Sequence, residues 1–209
     1  MNQPVRAERV QSDQPMIDLS YRLSGLRLPR DYGLALWRAL VGAVSWLADE
    51  PAVGLHPIRG ANTERGLLLS GRSRLTLRMP ERCMAQAGDL QGRWLAVDGE
   101  RLQLGGSTMR SLEAFPTLSA AFVSTGASDE LSHQQAVQQM LERLGVPQRF
   151  ICGRMRWLED AAGRSAGGGV VLHQLRPEHS LLVQRCGIGP NRNLGWGLFL
   201  PHKTIHSID

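Results

Sequence analysis

CGIGPNRNLGWGLFLPHK, residues 186–203, contains two Gly-x-Gly pairs around a short polar loop, and an apolar run follows at once. Glycine tolerates positive φ and leaves room for another backbone to approach, so paired glycines can turn a loop sharply. A loop of this kind can direct backbone N–H groups and polar side chains at a phosphate. We therefore predict a phosphate-binding loop formed by Gly187, Gly189, Asn191, Arg192, Asn193, Gly195 and Gly197.

The loop does not match the known nucleotide-binding fingerprints. No strand is predicted before it and no helix after it, as the dinucleotide fingerprint requires, and the Gly-Lys-Ser/Thr of a P-loop is missing. A nucleotide-dependent enzyme of small molecules is one alternative for the function, and the missing fingerprint argues against it.

The first half of the chain reads as strand, helix, strand, strand, helix, strand. MIDLSYRLS at 16–24 alternates apolar and polar residues, which predicts a strand, and Pro29 and Asp31 open an apolar-striped helix. After a break at Pro51 comes a short segment, AVGLHPI, and then a strand predicted over 67–79. ERCMAQAG is predicted to form one or two helical turns, and WLAVDGERLQLG a hairpin around its Asp-Gly turn.

The second half repeats this order. LSAAFVST predicts a strand, and the next segment predicts a helix capped by Ser128 and ended by Gly145. Two strands joined by the flexible loop DAAGRSAGG follow, then a short helix, HSLLVQRC, and a last strand, GWGLFLP. The sequence therefore predicts an α+β fold of tandem ferredoxin-like (RRM-like) βαββαβ units.

Domain boundaries follow from this order of elements. We expect a flexible N-terminus over 1–15, a first ferredoxin-like domain over 16–104 and a turn-rich linker over 105–117. The second domain, over 118–209, includes the glycine-rich loop 187–197.

The basic residues suit a protein that binds nucleic acid, and we expect the protein in the cytoplasm. The net charge is +5, and Lys203 is the sole lysine among 24 basic residues. Arginine grips phosphate bidentately and stacks on bases, although a genome rich in arginine codons would give the same ratio. The longest apolar stretch, 34–48, is too short to span a bilayer, and the N-terminus has no secretory signal, so we expect no membrane association. Three widely spaced cysteines give no zinc pattern, and we expect neither metal nor cofactor.

Alternating arginines on two predicted strands suggest where a polyanion binds. Arginines in GRSRLTLRM and in GRMRWL face away from the apolar residues of their strands. An ordinary solvated sheet face explains any one of them, but several together favour nucleic acid. Neither strand carries an aromatic pair for stacking bases, and the five tryptophans are expected in the core. The arginines predicted to bind nucleic acid are Arg72, Arg74, Arg78, Arg154 and Arg156, with Arg185 near the glycine loop.

The glycine loop in front of a last strand resembles that of the CRISPR-associated repeat RNA endoribonucleases of the Cas-six family. HPIRGA at 56–61 and the closing LFLPHK are similar to the myxan-type branch of that family. The resemblance implies a protein that binds CRISPR repeat RNA, cuts the precursor transcript without a metal and stays with the mature guide RNA in a complex with other subunits. In the family the 2′-hydroxyl attacks the phosphodiester, leaving a 2′,3′-cyclic phosphate and a 5′-hydroxyl. A non-catalytic RNA-binding scaffold subunit of the same fold is the main alternative.

The resemblance also directs attention to the histidines. Imidazole titrates near neutral pH and can move the proton of a 2′-hydroxyl. Many family members carry the histidine in or after the first helix, where His56 is the nearest here. A structural role at a strand end is the alternative for His56. The other catalytic candidates are Arg59, Tyr32 at the start of the first helix, and the C-terminal pair His202 and Lys203.

Overall fold

A computed structural model describes residues 14–147 and 149–202. The chain divides into two compact units, and each is described separately below. The first comprises residues up to Ser111 together with Glu159–Gly163 and Arg192–Gly195. The second comprises the described residues of Leu112–Leu158, of Arg164–Asn191 and from Trp196 to His202.

The first unit contains a five-stranded antiparallel sheet with the edge-to-edge order β3-β6-β1-β8-β7 and a small sheet with the order β2-β5-β4. The large sheet packs one face against α1 and the apolar core. Short 3₁₀ turns occupy Ser45–Asp49, Glu81–Cys83 and Gly88–Leu90. Its elements are β1 (Met16–Ser24), β2 (Arg27–Leu28), α1 (Tyr32–Ala43), β3 (Gly54–Leu55), β4 (Ala61–Thr63), β5 (Gly66–Leu68), β6 (Arg74–Pro80), α2 (Met84–Ala87), β7 (Trp94–Val97) and β8 (Glu100–Ser111).

The second unit contains a four-stranded sheet with the order β10-β11-β9-β12. Buried residues of β9, β11, α3 and α4 form its core. Its elements are β9 (Leu118–Ser124), α3 (Glu130–Leu144), β10 (Phe150–Asp160), β11 (Gly163–Leu172), α4 (Pro177–Cys186) and β12 (Leu200–Pro201).

Both large sheets have the ferredoxin-like strand order. In the first unit β1, β3, β6 and β8 take the places of the four strands of a βαββαβ unit, and β7 adds a fifth strand at one edge. In the second unit β9, β10, β11 and β12 take the same places. The predicted tandem ferredoxin-like fold is thus confirmed.

Sequence pattern explains the central strand and its neighbours. Ile17, Leu19, Tyr21 and Leu23 of β1 are buried, as the alternation predicted. The β7–β8 hairpin turns at Asp98 and Gly99, whose φ angles are 46° and 84°. Two positive φ angles in a two-residue loop are typical of a type I′ turn, which the Asp-Gly pair predicted.

Two predicted elements of the first unit are different in the structure. The strand predicted over 67–79 is two strands, because Ser73 N–H bonds to the carbonyl of Ser70 (2.9 Å) and Ser73 Oγ accepts from Ser70 N–H (3.0 Å), which closes a turn between β5 and β6. The linker predicted over 105–117 is wrong for 105–111, because that segment continues β8 and pairs with β1 as far as Ser111 opposite Ile17.

The second unit also corrects the sequence reading. The flexible loop predicted between β10 and β11 is a tight turn, in which Asp160 Oδ1 accepts from Ala162 N–H at 2.8 Å. Asp129, not Ser128, caps α3 by accepting from Ser132 N–H, and Gly145 ends the helix with φ 73° as predicted. The last strand is shorter than predicted, because residues 195–197 form turns. Among the described residues no helix is long and apolar enough to cross a membrane.

Candidate active site

His56 immediately follows β3 and is held in place from two sides. The backbone N–H of His56 donates to the carbonyl of Thr76 on β6 at 2.9 Å. Two residues further on, Ile58 N–H donates to the Tyr32 hydroxyl at 2.8 Å. Tyr32 opens α1, so the first helix and the sheet together fix the backbone over 56–58. This contact gives Tyr32 a positioning role for the segment that carries His56.

Asp18 and Arg78 hold the imidazole of His56. Arg78 donates from Nε to Asp18 Oδ1 at 2.7 Å and from Nη2 to Asp18 Oδ2 at 2.9 Å, which makes a bidentate pair. His56 Nε2 lies 3.2 Å from Asp18 Oδ1. Register explains the geometry, since Asp18 of β1 lies directly opposite Arg78 of β6, and Gly54 of β3 lies opposite Arg78 on its other side.

The cluster sets the charge state of its members. Burial alone would raise the pKa of Asp18, but hydrogen bonds from Arg78 and His56, and the charge of Arg78, hold that pKa well below its usual range. Burial lowers the pKa of His56, and the charges of Arg78 and Arg192 lower it further. Asp18 opposes this shift and raises the pKa of His56. His56 is therefore neutral at pH 7, and its contact with Asp18 is a hydrogen bond rather than an ion pair.

The partner of Nε2 determines the tautomer of His56. An ionised carboxylate only accepts hydrogen bonds, so Nε2 carries the proton and Nδ1 carries the lone pair. Among the described residues, Nδ1 has no hydrogen-bond partner. The side chain is 14% exposed. His56 thus offers one oriented proton acceptor, at Nδ1.

The glycine loop has the predicted backbone but uses its amides differently. Gly187, Gly189, Gly195 and Gly197 all have positive φ, between 62° and 84°. The N–H groups of Gly187, Gly195 and Gly197 donate to protein carbonyls, those of Val183, Arg192 and Phe122. The prediction that these three amides face a phosphate is therefore wrong, because they donate to carbonyls of the loop itself and of α4 and β9. Gly189 is exposed, and Asn191 and Asn193 are half-buried.

Part of this loop packs against the His56 segment. Arg192–Leu194 forms a 3₁₀ turn within the first unit. A Cβ added at Gly195 would lie 2.6 Å from the carbonyl oxygen of Leu55, the residue before His56. Arg192 is close enough for its charge to lower the pKa of His56. The structure thus brings His56, Asp18, Arg78 and Arg192 together.

Arg78 corrects one predicted RNA contact. Its side chain is fully buried and bonded to Asp18, so it does not share an open face with Arg72 and Arg74. Arg72 is exposed, and Arg74 bonds to the carbonyls of Gly71 and Ser73. Arg59 is exposed three residues after His56.

The remaining predicted residues belong to the second unit. Arg154 and Arg156 are exposed on β10, and Arg156 donates to the carbonyl of Ala121 at 2.7 Å. Arg185 is half-buried on α4. His202 is exposed, and its N–H bonds to the carbonyl of Thr117. Lys203 lies outside the described residues.

Asp18 is the residue of this cluster that the sequence interpretation missed. It belongs to the polar set of a half-buried strand, where an acid is ordinary. Its role depends on strand pairing rather than on local pattern, because Asp18 lies opposite Arg78 only once β1 and β6 are side by side. In the parts of the chain that the structure describes, no group of three or more His, Cys, Asp or Glu residues is placed to hold a metal ion.

Comparisons with known proteins agree with the architecture. Residues 17–204 match the family model described as Cas6, Cas6 Crispr. A relative from Myxococcus xanthus, named CRISPR-associated endonuclease Cas6, is 35% identical over 186 residues, which cover 88% of this chain and 81% of the relative.

Solved structures match in fold at low sequence identity. A Cas6-related protein from Pyrococcus furiosus matches with a TM-score of 0.59 and 14% identity over 88% of this chain and 98% of that one. A CRISPR-associated protein Cas6 matches with a TM-score of 0.61 and 9% identity over 91% and 100%. The CRISPR endoribonuclease Cse3 bound to RNA matches with a TM-score of 0.51 and 15% identity over 90% and 98%.

Proposed function

Because the chain belongs to the Cas6 family of CRISPR-associated proteins, we propose that it is an endoribonuclease that binds CRISPR repeat RNA and cuts precursor CRISPR transcripts without a metal. The M. xanthus relative is named an endonuclease, and the Cse3 structure of the same fold is bound to RNA. One observation in the chain itself carries the proposal. His56 is neutral, oriented by Asp18, and lies near the Arg192 end of the glycine loop.

The proposed reaction is an internal transfer of the phosphodiester. The 2′-oxygen bonds to phosphorus while the bond from phosphorus to the 5′-oxygen breaks. His56 Nδ1 takes the proton of the 2′-hydroxyl, and a second group gives a proton to the leaving 5′-oxygen. The products are a 2′,3′-cyclic phosphate and a 5′-hydroxyl, so no water or metal enters the balance. His202 and Lys203 are the proposed sources of the second proton.

Arginines supply the positive charge that this step requires. The pentacoordinate phosphorane carries more negative charge than the ground state, and positioned cations stabilise it. We assign this role to Arg192 and Arg59, which belong to the first unit, as His56 does. Arg72, Arg74, Arg154, Arg156 and Arg185 are proposed to hold the repeat RNA through its phosphates, together with the exposed Gly189 and the side chains of Asn191 and Asn193.

A non-catalytic scaffold subunit is the second candidate, and one observation favours it. The small exposure of His56 and its bond to Asp18 are also what a purely structural histidine would have. The two functions share the fold and the RNA, so only cleavage separates them. Other subunits of an interference complex are proposed partners in either case.

An end-labelled repeat RNA, incubated with the purified protein in EDTA, tests the proposal. We expect a single cut whose 5′ fragment ends in a 2′,3′-cyclic phosphate. A substrate with a 2′-deoxy nucleotide just before the cut should bind equally and stay intact, because the attacking oxygen is gone. Cleavage that needs magnesium, or cleavage of the deoxy substrate, would contradict the mechanism. Binding with no cleavage under any condition would support the scaffold.

A further inference from the structure

The face of the first unit's large sheet that points away from α1 carries a group of largely exposed residues on β1, β7 and β8. On β1 the core residues alternate with Arg22 and Ser24, which are exposed. Ser24 pairs with Gln103 of β8, Gln103 pairs with Trp94 of β7, and Ala96 of β7 pairs with Arg101. We call this surface the open sheet face and define it as Arg22, Ser24, Trp94, Ala96, Arg101 and Gln103.

Trp94 is the unusual member of the open sheet face. The sequence placed it in the core with the other tryptophans, but it is 55% exposed. Its neighbours on β7, Leu95 and Val97, are buried in the core, so the packing of β7 does not depend on the indole of Trp94. The guanidinium carbon of Arg101 lies 4.9 Å from the centroid of the Trp94 ring, a cation–π contact that orients the ring on the surface. An oriented, exposed indole provides a flat apolar surface on which a nucleobase can stack.

The charge of this face suits a polyanion. Two of its six residues are arginines and none is acidic. Arg110, further along β8, is also exposed, and the carboxylate opposite it, Asp18, is already bound to Arg78. Glu100, the acid nearest along the chain, is bound to Arg27 at 2.7 Å. Among the described residues neither Arg22 nor Arg101 forms an ion pair, so no carboxylate competes with a phosphate for them.

We propose that the open sheet face binds a single-stranded segment of RNA, with a base stacked on Trp94 and phosphates against Arg22 and Arg101. Single-strand binding sites combine these two features, a cationic surface that follows the backbone and aromatic side chains that stack on bases. The inference rests on the proposed function in that RNA is the substrate. It adds a site on β1, β7 and β8 that is separate from the His56 cluster on β1, β3 and β6.

The test uses an unstructured, fluorescently labelled RNA decamer and the full chain. Stacking of one base is worth on the order of tenfold in affinity, so Trp94→Leu should raise the Kd of the decamer about tenfold, whereas Trp94→Phe should recover most of the loss. Arg22→Gln should reduce the slope of log Kd against log salt by about one. Met84→Ala, which truncates an exposed apolar side chain on α2, is the matched control and should leave the Kd unchanged.

The proposal and the proposed function fail separately. Cleavage of the repeat at saturating protein should be unchanged in Trp94→Leu, because the variant leaves His56 and its partners intact. If Trp94→Leu binds the decamer like the wild type, the open sheet face is not an RNA site, and docking of a protein subunit or a second copy replaces the inference. If the wild type binds the decamer through Trp94 but never cuts a repeat, the inference stands and the catalytic proposal fails.

Discussion

His56→Ala is expected to slow single-turnover cleavage of the repeat RNA by at least ~10²-fold, because general acid–base catalysis typically contributes 10²- to 10⁴-fold. Binding should change little, since the imidazole is 14% exposed and carries no charge at pH 7. Gel-based rate constants at saturating protein, with filter binding in parallel, separate the two effects.

His173→Ala and His202→Ala serve as matched histidine replacements. His173 lies just after β11 and should have no effect on the rate. His202→Ala reports on the second proton and should lower the rate only if His202 supplies it. If His56→Ala cleaves the repeat at the wild-type rate, His56 is not the base and its role is structural.

Arg78→Met is expected to lower the free energy of unfolding by about 3–5 kcal/mol, because it leaves the Asp18 carboxylate without its bidentate partner in a largely buried place. This loss of stability measures the cost of leaving the Asp18 carboxylate unpaired in the variant. It does not measure the net contribution of the Asp18–Arg78 pair to the wild type. Urea unfolding of the wild type and the variant at pH 7 measures it.

The double variant Asp18→Asn/Arg78→Met separates this cause from a general loss of packing. Removing the carboxylate as well should recover much of the stability, and the double-mutant cycle gives the coupling between the two residues. Arg72→Met, at an exposed arginine of the same segment, should change the stability by less than about 0.5 kcal/mol. An Arg78→Met protein as stable as the wild type would show that the pair is not important for the fold.

The fold could be predicted from the sequence wherever periodicity or turn chemistry decided the structure. The alternation in β1, the Asp98-Gly99 turn and the end of α3 at Gly145 all agree with it. Predictions failed where pairing partners decided. Residues 105–111 were predicted to be a linker because they are rich in Gly, Ser and Thr. In the structure they continue β8 and pair with β1 as far as Ser111 opposite Ile17.

The candidate site was predictable only in part. His56 and the glycine loop carry local signals, a histidine beside proline and paired glycines, and the structure brings them together. The partnership of Asp18 and Arg78 depends on strand register between residues sixty positions apart, which no local pattern gives. Arg78 therefore read as a solvated arginine. Trp94 was misplaced for a similar reason, since β7 lies at a sheet edge and buries only one of its faces.

The pH dependence of cleavage by the wild type and Asp18→Asn tests most directly whether His56, tuned by Asp18, is the base. A general base acts in its unprotonated form, so on the low-pH limb of the profile the rate should rise with pH through the pKa of His56. The Asp18 carboxylate raises that pKa, against burial and the charges of Arg78 and Arg192. The midpoint of the low-pH limb should therefore lie at a lower pH in Asp18→Asn than in the wild type. An unmoved midpoint, or one that rises, would contradict the account.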